Sequence, residues 1–190
     1  MRLGPRLTSF ILLDKAWRFR SSVFDTELHW VASGLNGRET DRWDNKKTTN
    51  HLVIHEGGRV VGYSRIVEGR EIGDFMFGDS FFQRFLRDQR GVVLEILAQN
   101  HYACVEVSRF AIRAGFRAKP EVANRLVFEI AEWCVSHRKR WLMMIVTADL
   151  LSALAKRGVD DSCFIVKVQY GDQGWFAILD LRVTIPKLHP

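Results

Sequence analysis

Nowhere in these 190 residues is there an apolar run long enough to cross a bilayer. The short run Phe10 to Leu13 lies among Arg2, Arg6, Asp14 and Lys15, and it is too short for a signal-peptide core. These features predict a cytoplasmic chain with no membrane span. Cysteine is scarce. Cys104, Cys134 and Cys163 are odd in number and far apart, which excludes a disulfide framework and any metal-ligand spacing and predicts reduced thiols. His51 and His55 are four apart, but on a segment that reads as a strand, where two imidazoles do not converge as they would on a helix. No metal site is expected. No Pro/Gly/Ser-rich linker and no internal repeat divides the chain. A single domain over 1–190 is therefore expected, since a chain of this size buries about 70% of its unfolded surface in one core. There is no helix-turn-helix, zinc-finger pattern or long basic helix, so nucleic acid is not the expected partner.

What is present is ordinary for a globular protein: 47% apolar and 26% charged residues. The formal charge of +6 and a sequence pI near 9.5 favour acidic partners. The basic residues come in short groups, Arg84, Arg87 and Arg90, then Arg138, Lys139 and Arg140, each of which reads as a solvated face.

The periodicity predicts a helix over 9–27, with Ile11, Leu12, Ala16, Phe19, Val23 and Phe24 on one stripe. A charged loop follows over 31–48. A hairpin over 50–56 and 59–67 turns at Gly57-Gly58. A helix over 79–88 would start at Asp79 or Ser80, and 91–100 leans to helix. A strand spans 103–112. A helix over about 120–138 begins at Pro120 and carries His137 as a packed end residue. A strand over 141–147 precedes a helix over 149–157, capped by Asp149 and stopped by Gly158. A last hairpin, 162–170 and 174–183, turns at Gly171-Asp172-Gln173. This order gives an α/β chain, a mixed sheet covered by helices.

Three stretches carry chemistry. Glu39, Asp41 and Asp44 stand within six residues, repel one another and need cations. Glu106 and Arg109 lie three apart on a buried strand, where each needs a partner or a ligand; a structural ion pair is the plainer alternative. The segment before Pro120 combines free helix-start amides with Arg113, Arg117 and Lys119, which suits the phosphate of a pantetheine arm as well as it suits an exposed basic loop. Gly115 falls one position early for the usual acetyltransferase pyrophosphate loop.

In chain order, the motifs are Arg20 with Phe24 and Trp30, then Glu39-x-Asp41-x-x-Asp44, then Gly62 with Arg65-Ile66, then Glu106-x-Ser108-Arg109-Phe110-Ala111, then Thr147. Together, over about residues 15 to 160, they resemble the acyl-homoserine lactone synthases, the autoinducer synthases of bacterial quorum sensing. The resemblance implies a fold like the GNAT acyltransferases. It implies acyl transfer from an acyl carrier protein, or from acyl-CoA, to the amine of S-adenosylmethionine, then lactonisation with release of methylthioadenosine. No tightly bound cofactor is implied. Glu106 or Glu39 would take the amine proton. Asp41 and Asp44 would hold positive charge on the substrate, and Arg20, Arg65 and Arg109 would pair with these acids and with the substrate carboxylate. Phe24, Trp30 and Phe81 would offer aromatic faces, and Ser108 and Thr147 would line the substrate and acyl pockets. Arg113, Arg117 and Lys119 would meet the carrier or its phosphopantetheine, and an acidic acyl carrier protein would suit the basic surface. The related N-acyl amino acid synthases, which acylate a free amino acid such as tyrosine, are the alternative.

Overall fold

A computed structural model describes residues 8–29, 34, 36–170 and 174–188. They fall into two compact units, Met1–Ile66 with Arg109–Glu132 and Val67–Ser108 with Trp133–Pro190.

In the first unit, α1 (Thr8–Ser21) runs on into a π-helical turn, Ser22–Glu27. Together they match the expected helix. The wider turn is closed by Leu28 N–H donating to the Val23 carbonyl, five residues back, at 3.0 Å. Ala16, Phe19, Val23 and Phe24 recur at helical spacing and bury against Val53, Val60, Tyr63 and Ala111. Strands β1 (Thr49–Glu56) and β2 (Arg59–Val67) form the expected hairpin. Gly57 and Gly58 both take positive φ, the primed turn that glycine permits without strain. Gly62 has a packing reason for lacking a side chain: a Cβ there would stand 3.0 Å from Val122 and 3.2 Å from Leu126 on α4 (Pro120–Ser136).

The second unit is built on β3 (Cys104–Ile112, up to Ser108), β4 (Trp141–Thr147), β5 (Phe164–Tyr170) and β6 (Gly174–Asp180). Its core gathers Phe75, Phe77, Leu86, Val93, Leu97, Met143, Phe176 and Ile178. Phe77 meets Phe176 edge to face at 5.3 Å. The six strands are hydrogen-bonded in the order β1-β2-β3-β4-β6-β5. The β3–β4 pair is parallel and β4–β6–β5 antiparallel, so the sheet is mixed, as expected. The β3–β4 register runs from Cys104↔Trp141 to Val107↔Met144. Two residues further on, Arg109 adopts a left-handed φ of 57°, unusual for a residue with a side chain. At the end of α4, His137 stacks on Trp133 at 3.9 Å, the packing role expected of it.

Three expected elements differ. Residues 79–88 do not form one helix. A short α2 (Ser80–Gln83) is followed by tight turns, Phe85 N to Phe82 O at 3.0 Å and Leu86 N to Gln83 O at 3.2 Å, before α3 (Arg90–Asn100). The tighter turns let Phe82, Phe85 and Leu86 all reach the core. Helix α5 (Ala148–Ala155) is capped by Thr147, whose hydroxyl accepts from Leu150 N–H at 3.3 Å, and not by Asp149. Gly158, with φ of 87°, does end that turn of chain. Residues 181–183 do not extend the last strand but open α6 (Leu181–Leu188). The register β4–β6 stops at Trp141↔Asp180, and the Asp180 carboxylate then accepts from Arg182 N–H at 3.0 Å, starting a helix where pairing has run out. The turn expected at 171–173 lies outside the described residues.

Candidate active site

The acid-rich loop folds on its own side chains. Asp41 N–H donates to the Asp44 carboxylate at 2.7 Å, Trp43 N–H to the Asp41 carboxylate at 2.9 Å, and Asp44 N–H to the Asp41 carbonyl at 3.1 Å. Short acids close turns of this kind readily. The loop is tied to α1 where Glu39 N–H donates to the Trp17 carbonyl at 3.2 Å.

Three guanidiniums answer the three acids. Arg20 donates from Nε to Glu39 and from Nη1 to Asp44, each at 2.5 Å. Arg65 Nη1 donates to Asp41 at 2.5 Å and to Asp44 at 3.0 Å. Arg109 donates from Nε to Glu39 and from Nη2 to Asp41, each at 3.1 Å. Every acid bridges two arginines, and formal charge cancels. Burial is graded: the Arg20, Arg65 and Asp44 side chains are fully buried, whereas Asp41 and Arg109 keep 18% and 21% of their side-chain surface exposed. Ionised groups taken out of water cost several kcal/mol each before pairing offsets it, so such a cluster is a weak source of stability and is a candidate site. Aromatic rings close around it: Phe24 under Arg109 at 5.6 Å, Trp43 near Arg65 at 6.0 Å, and Tyr63 under Arg20 at 5.3 Å.

A second layer completes the cluster. Arg20 Nη1 also donates to Tyr63 Oη at 3.2 Å. Tyr63 Oη lies 2.7 Å from His51 Nδ1, and His51 Nε2 lies 3.3 Å from the Asp44 carbonyl. Burial would raise the Asp44 carboxyl, but hydrogen bonding and charge from Arg20, with Arg65 and the Asp41 amide, outweigh it and hold the group below its ordinary value. Burial pushes Tyr63 up to about 12 and His51 below its usual value. Burial opposes the charge on Arg65, but Asp41 and Asp44 prevail and raise it.

In the second unit the Glu106 carboxylate is fully buried and accepts from the amides of Met76 at 2.7 Å and Phe77 at 3.4 Å. Ser108 is buried on the same strand. Thr147 is committed through its hydroxyl to the α5 cap. Of the three basic residues expected to meet a carrier, Arg113 donates to the Val60 carbonyl at 2.8 Å with its guanidinium over Phe19. Arg117 donates to the Ile112 carbonyl at 2.9 Å and pairs with Glu27, and Lys119 sits over the Phe116 ring at 4.9 Å. Arg117 and Lys119 are exposed. Trp30 and the Phe81 side chain lie outside the described residues.

The family model for autoinducer synthases matches residues 6–172. The chain belongs to the autoinducer synthase family. An acyl-homoserine-lactone synthase of Agrobacterium fabrum is 34% identical over 132 residues, 65% of this chain and 57% of that protein. The match thus spans little over half the length of that relative. Among solved structures, the CoA-dependent acyl-homoserine lactone synthase BjaI, determined with MTA, superposes with a TM-score of 0.73 at 21% identity, covering 96% of this chain and 82% of the other. The N-acyl amino acid synthase FeeM, from uncultured soil microbes, has a TM-score of 0.62 at 12% identity, covering 100% of this chain and 93% of the other. These likenesses show the fold.

Within this chain, the sequence motifs name all six members of the ion-pair cluster. They miss Tyr63 and His51. The signal available was alternation: Tyr63 and Arg65 are two apart on β2 and share a face, and His51 lies on the adjoining strand of the hairpin.

Proposed function

We propose that this chain is an acyltransferase that moves a fatty acyl group from an acyl carrier protein or acyl-CoA to the amine of S-adenosylmethionine. The amine attacks the thioester carbonyl, the C–N bond forms, and the carrier leaves as a thiol. The methionine carboxylate then attacks its own γ-carbon and expels methylthioadenosine, leaving an N-acyl-homoserine lactone. The cluster of Arg20, Arg65 and Arg109 with Glu39, Asp41 and Asp44 carries this reading. A substrate bearing a carboxylate, an amine and a sulfonium needs both signs of charge at close quarters. Arg109 and Asp41, the partly exposed members, are the pair we assign to the substrate's carboxylate and positive groups, with Phe24 beside them.

We assign the proton transfer to Glu106 rather than Glu39. Glu39 accepts from two guanidiniums, Arg20 on one oxygen and Arg109 on the other, and is committed to ion pairing. Glu106 is oriented by the backbone amides of Met76 and Phe77. Ser108, Thr147, Phe81 and Trp30 are assigned to the walls of the substrate and acyl pockets, and Arg113, Arg117 and Lys119 to the carrier side. The buried free thiols Cys104, Cys134 and Cys163 fit a reducing compartment, the cytoplasm, where such acyl donors are made.

The test is incubation with an acyl carrier thioester or acyl-CoA together with S-adenosylmethionine. Methylthioadenosine released in step with an acyl-homoserine lactone is the expected result. An acylated free amino acid without methylthioadenosine would assign the chain to the N-acyl amino acid synthases instead.

A further inference from the structure

The valences around Asp44 leave one direction for each hydrogen bond in the second layer. A carbonyl only accepts, so His51 Nε2 must carry the proton it donates to Asp44 O at 3.3 Å. A neutral imidazole then has a lone pair on Nδ1, so Tyr63 O–H donates to it at 2.7 Å. A guanidinium only donates, so Tyr63 Oη accepts from Arg20 Nη1 at 3.2 Å. Arg20 Nη1 also donates to the Asp44 carboxylate at 2.5 Å. The result is a closed ring, Asp44 carboxylate to Arg20 to Tyr63 to His51 and back to the Asp44 backbone. It ties the side chain and the main chain of one residue to the same guanidinium.

We propose that Tyr63 and His51 are positioning residues of this site, clamping Arg20 and Asp44 in the register that substrate binding requires. This rests on the reading that the cluster binds S-adenosylmethionine. The ring runs in this direction only while His51 is neutral. A proton on Nδ1 reverses that bond, Nδ1–H now donating to Tyr63 Oη, takes the acceptor from Tyr63 O–H and adds a cation beside Arg20 from α1 and Arg65 from β2, with Asp44 the facing carboxylate. Burial, the largest influence, already disfavours that proton against the opposing pull of Asp44, so the neutral ring stands at neutral pH and is replaced by the reversed, charged one as the medium turns acid. The sign is consistent: a histidine disfavoured from charging in the fold contributes above its ordinary value of 6.5 and loses its contribution as pH falls.

Three measurements on the full chain test this. Nitrogen-15 NMR of His51 at neutral pH should report the neutral Nε2–H tautomer, whatever the substrate proves to be; an Nδ1–H ring overturns the proposal. Tyr63→Phe keeps the ring and removes the relay oxygen, and should raise KM for S-adenosylmethionine by about tenfold, the size expected when a hydrogen bond to a charged group is lost. A wild-type KM in Tyr63→Phe overturns the proposal. His51→Asn places an amide oxygen near the old Nδ1, able to accept from Tyr63 but unable to titrate. It should move the acid limb of the kcat/KM profile, and an unmoved limb overturns the proposal. If Tyr63→Phe does not fold, the His51→Asn profile and the tautomer decide. A wild-type protein that releases no methylthioadenosine refutes the substrate reading instead, and the tautomer still decides whether the ring exists.

Discussion

Replacing Glu106 by Gln removes a negative charge but keeps a carbonyl oxygen to accept from the amides of Met76 and Phe77. The fold should therefore survive while the proton acceptor is lost, and acyl transfer should fall by about 100- to 10,000-fold in a protein that still unfolds cooperatively. Glu39→Gln should lower stability as well as activity. It leaves Arg20 and Arg109 short of a carboxylate in a buried cluster, which costs about 3–5 kcal/mol and shows in the denaturant midpoint. Were Glu39→Gln to keep its stability and lose the rate, the proton acceptor would be Glu39. Asp44 supplies a pH dependence with a definite sign. Burial works against its charge, but Arg20 and Arg65 hold its carboxyl below 3.8. Its stabilisation is complete above that value and is lost as pH falls through the lower native-state value. Denaturant midpoints followed from neutral to acid pH should drop on the acid side in the wild type, and drop less in a folded Asp44→Asn.

At the level of elements, Thr147 answers two demands. The resemblance assigns it to the acyl pocket, while its hydroxyl caps α5 through Leu150 N–H. Thr147→Ala should cost about 1 kcal/mol through loss of the cap, and Thr147→Ser should restore it. A change of preferred acyl-chain length in Thr147→Ser, at unchanged thermal stability, would assign the methyl group to the pocket. The helices that were legible, α1 and α4, have apolar residues at helical spacing, although Ile11 of the expected α1 stripe is exposed and only Ala16, Phe19, Val23 and Phe24 of it are buried in the core. The segment 79–88 was not legible as turns because Phe82, Phe85 and Leu86 also fit a helical face, and only the core they enter selects the tighter backbone. Helix α6 was hidden for a related reason: 181–183 reads equally as strand, and what ends the strand is the end of β4 beside it. The left-handed backbone at Arg109 has no sequence signal at all, since arginine has no preference for it.

For the whole molecule, the charge of +6 matters to encounter rather than to fold. If the donor is an acidic carrier protein, kcat/KM for that donor should fall steeply as salt rises past about 0.1 M, where the screening length is about 10 Å. Lys119→Glu, at an exposed position, should lower it at low salt and leave it nearly unchanged at high salt. An acyl-CoA preference would show as weak salt dependence in both proteins. The sequence by itself determined the chemistry on offer: which acids and guanidiniums exist, in what order, and on which strands and helices, because periodicity and motif spacing are local properties. It could not say that each acid would bridge two arginines, that Tyr63 and His51 would close a ring behind them, or that Glu106 would be held by backbone amides. Those bonds join residues up to 70 positions apart, as Arg109 and Glu39 are, and only the packed chain brings such partners within reach.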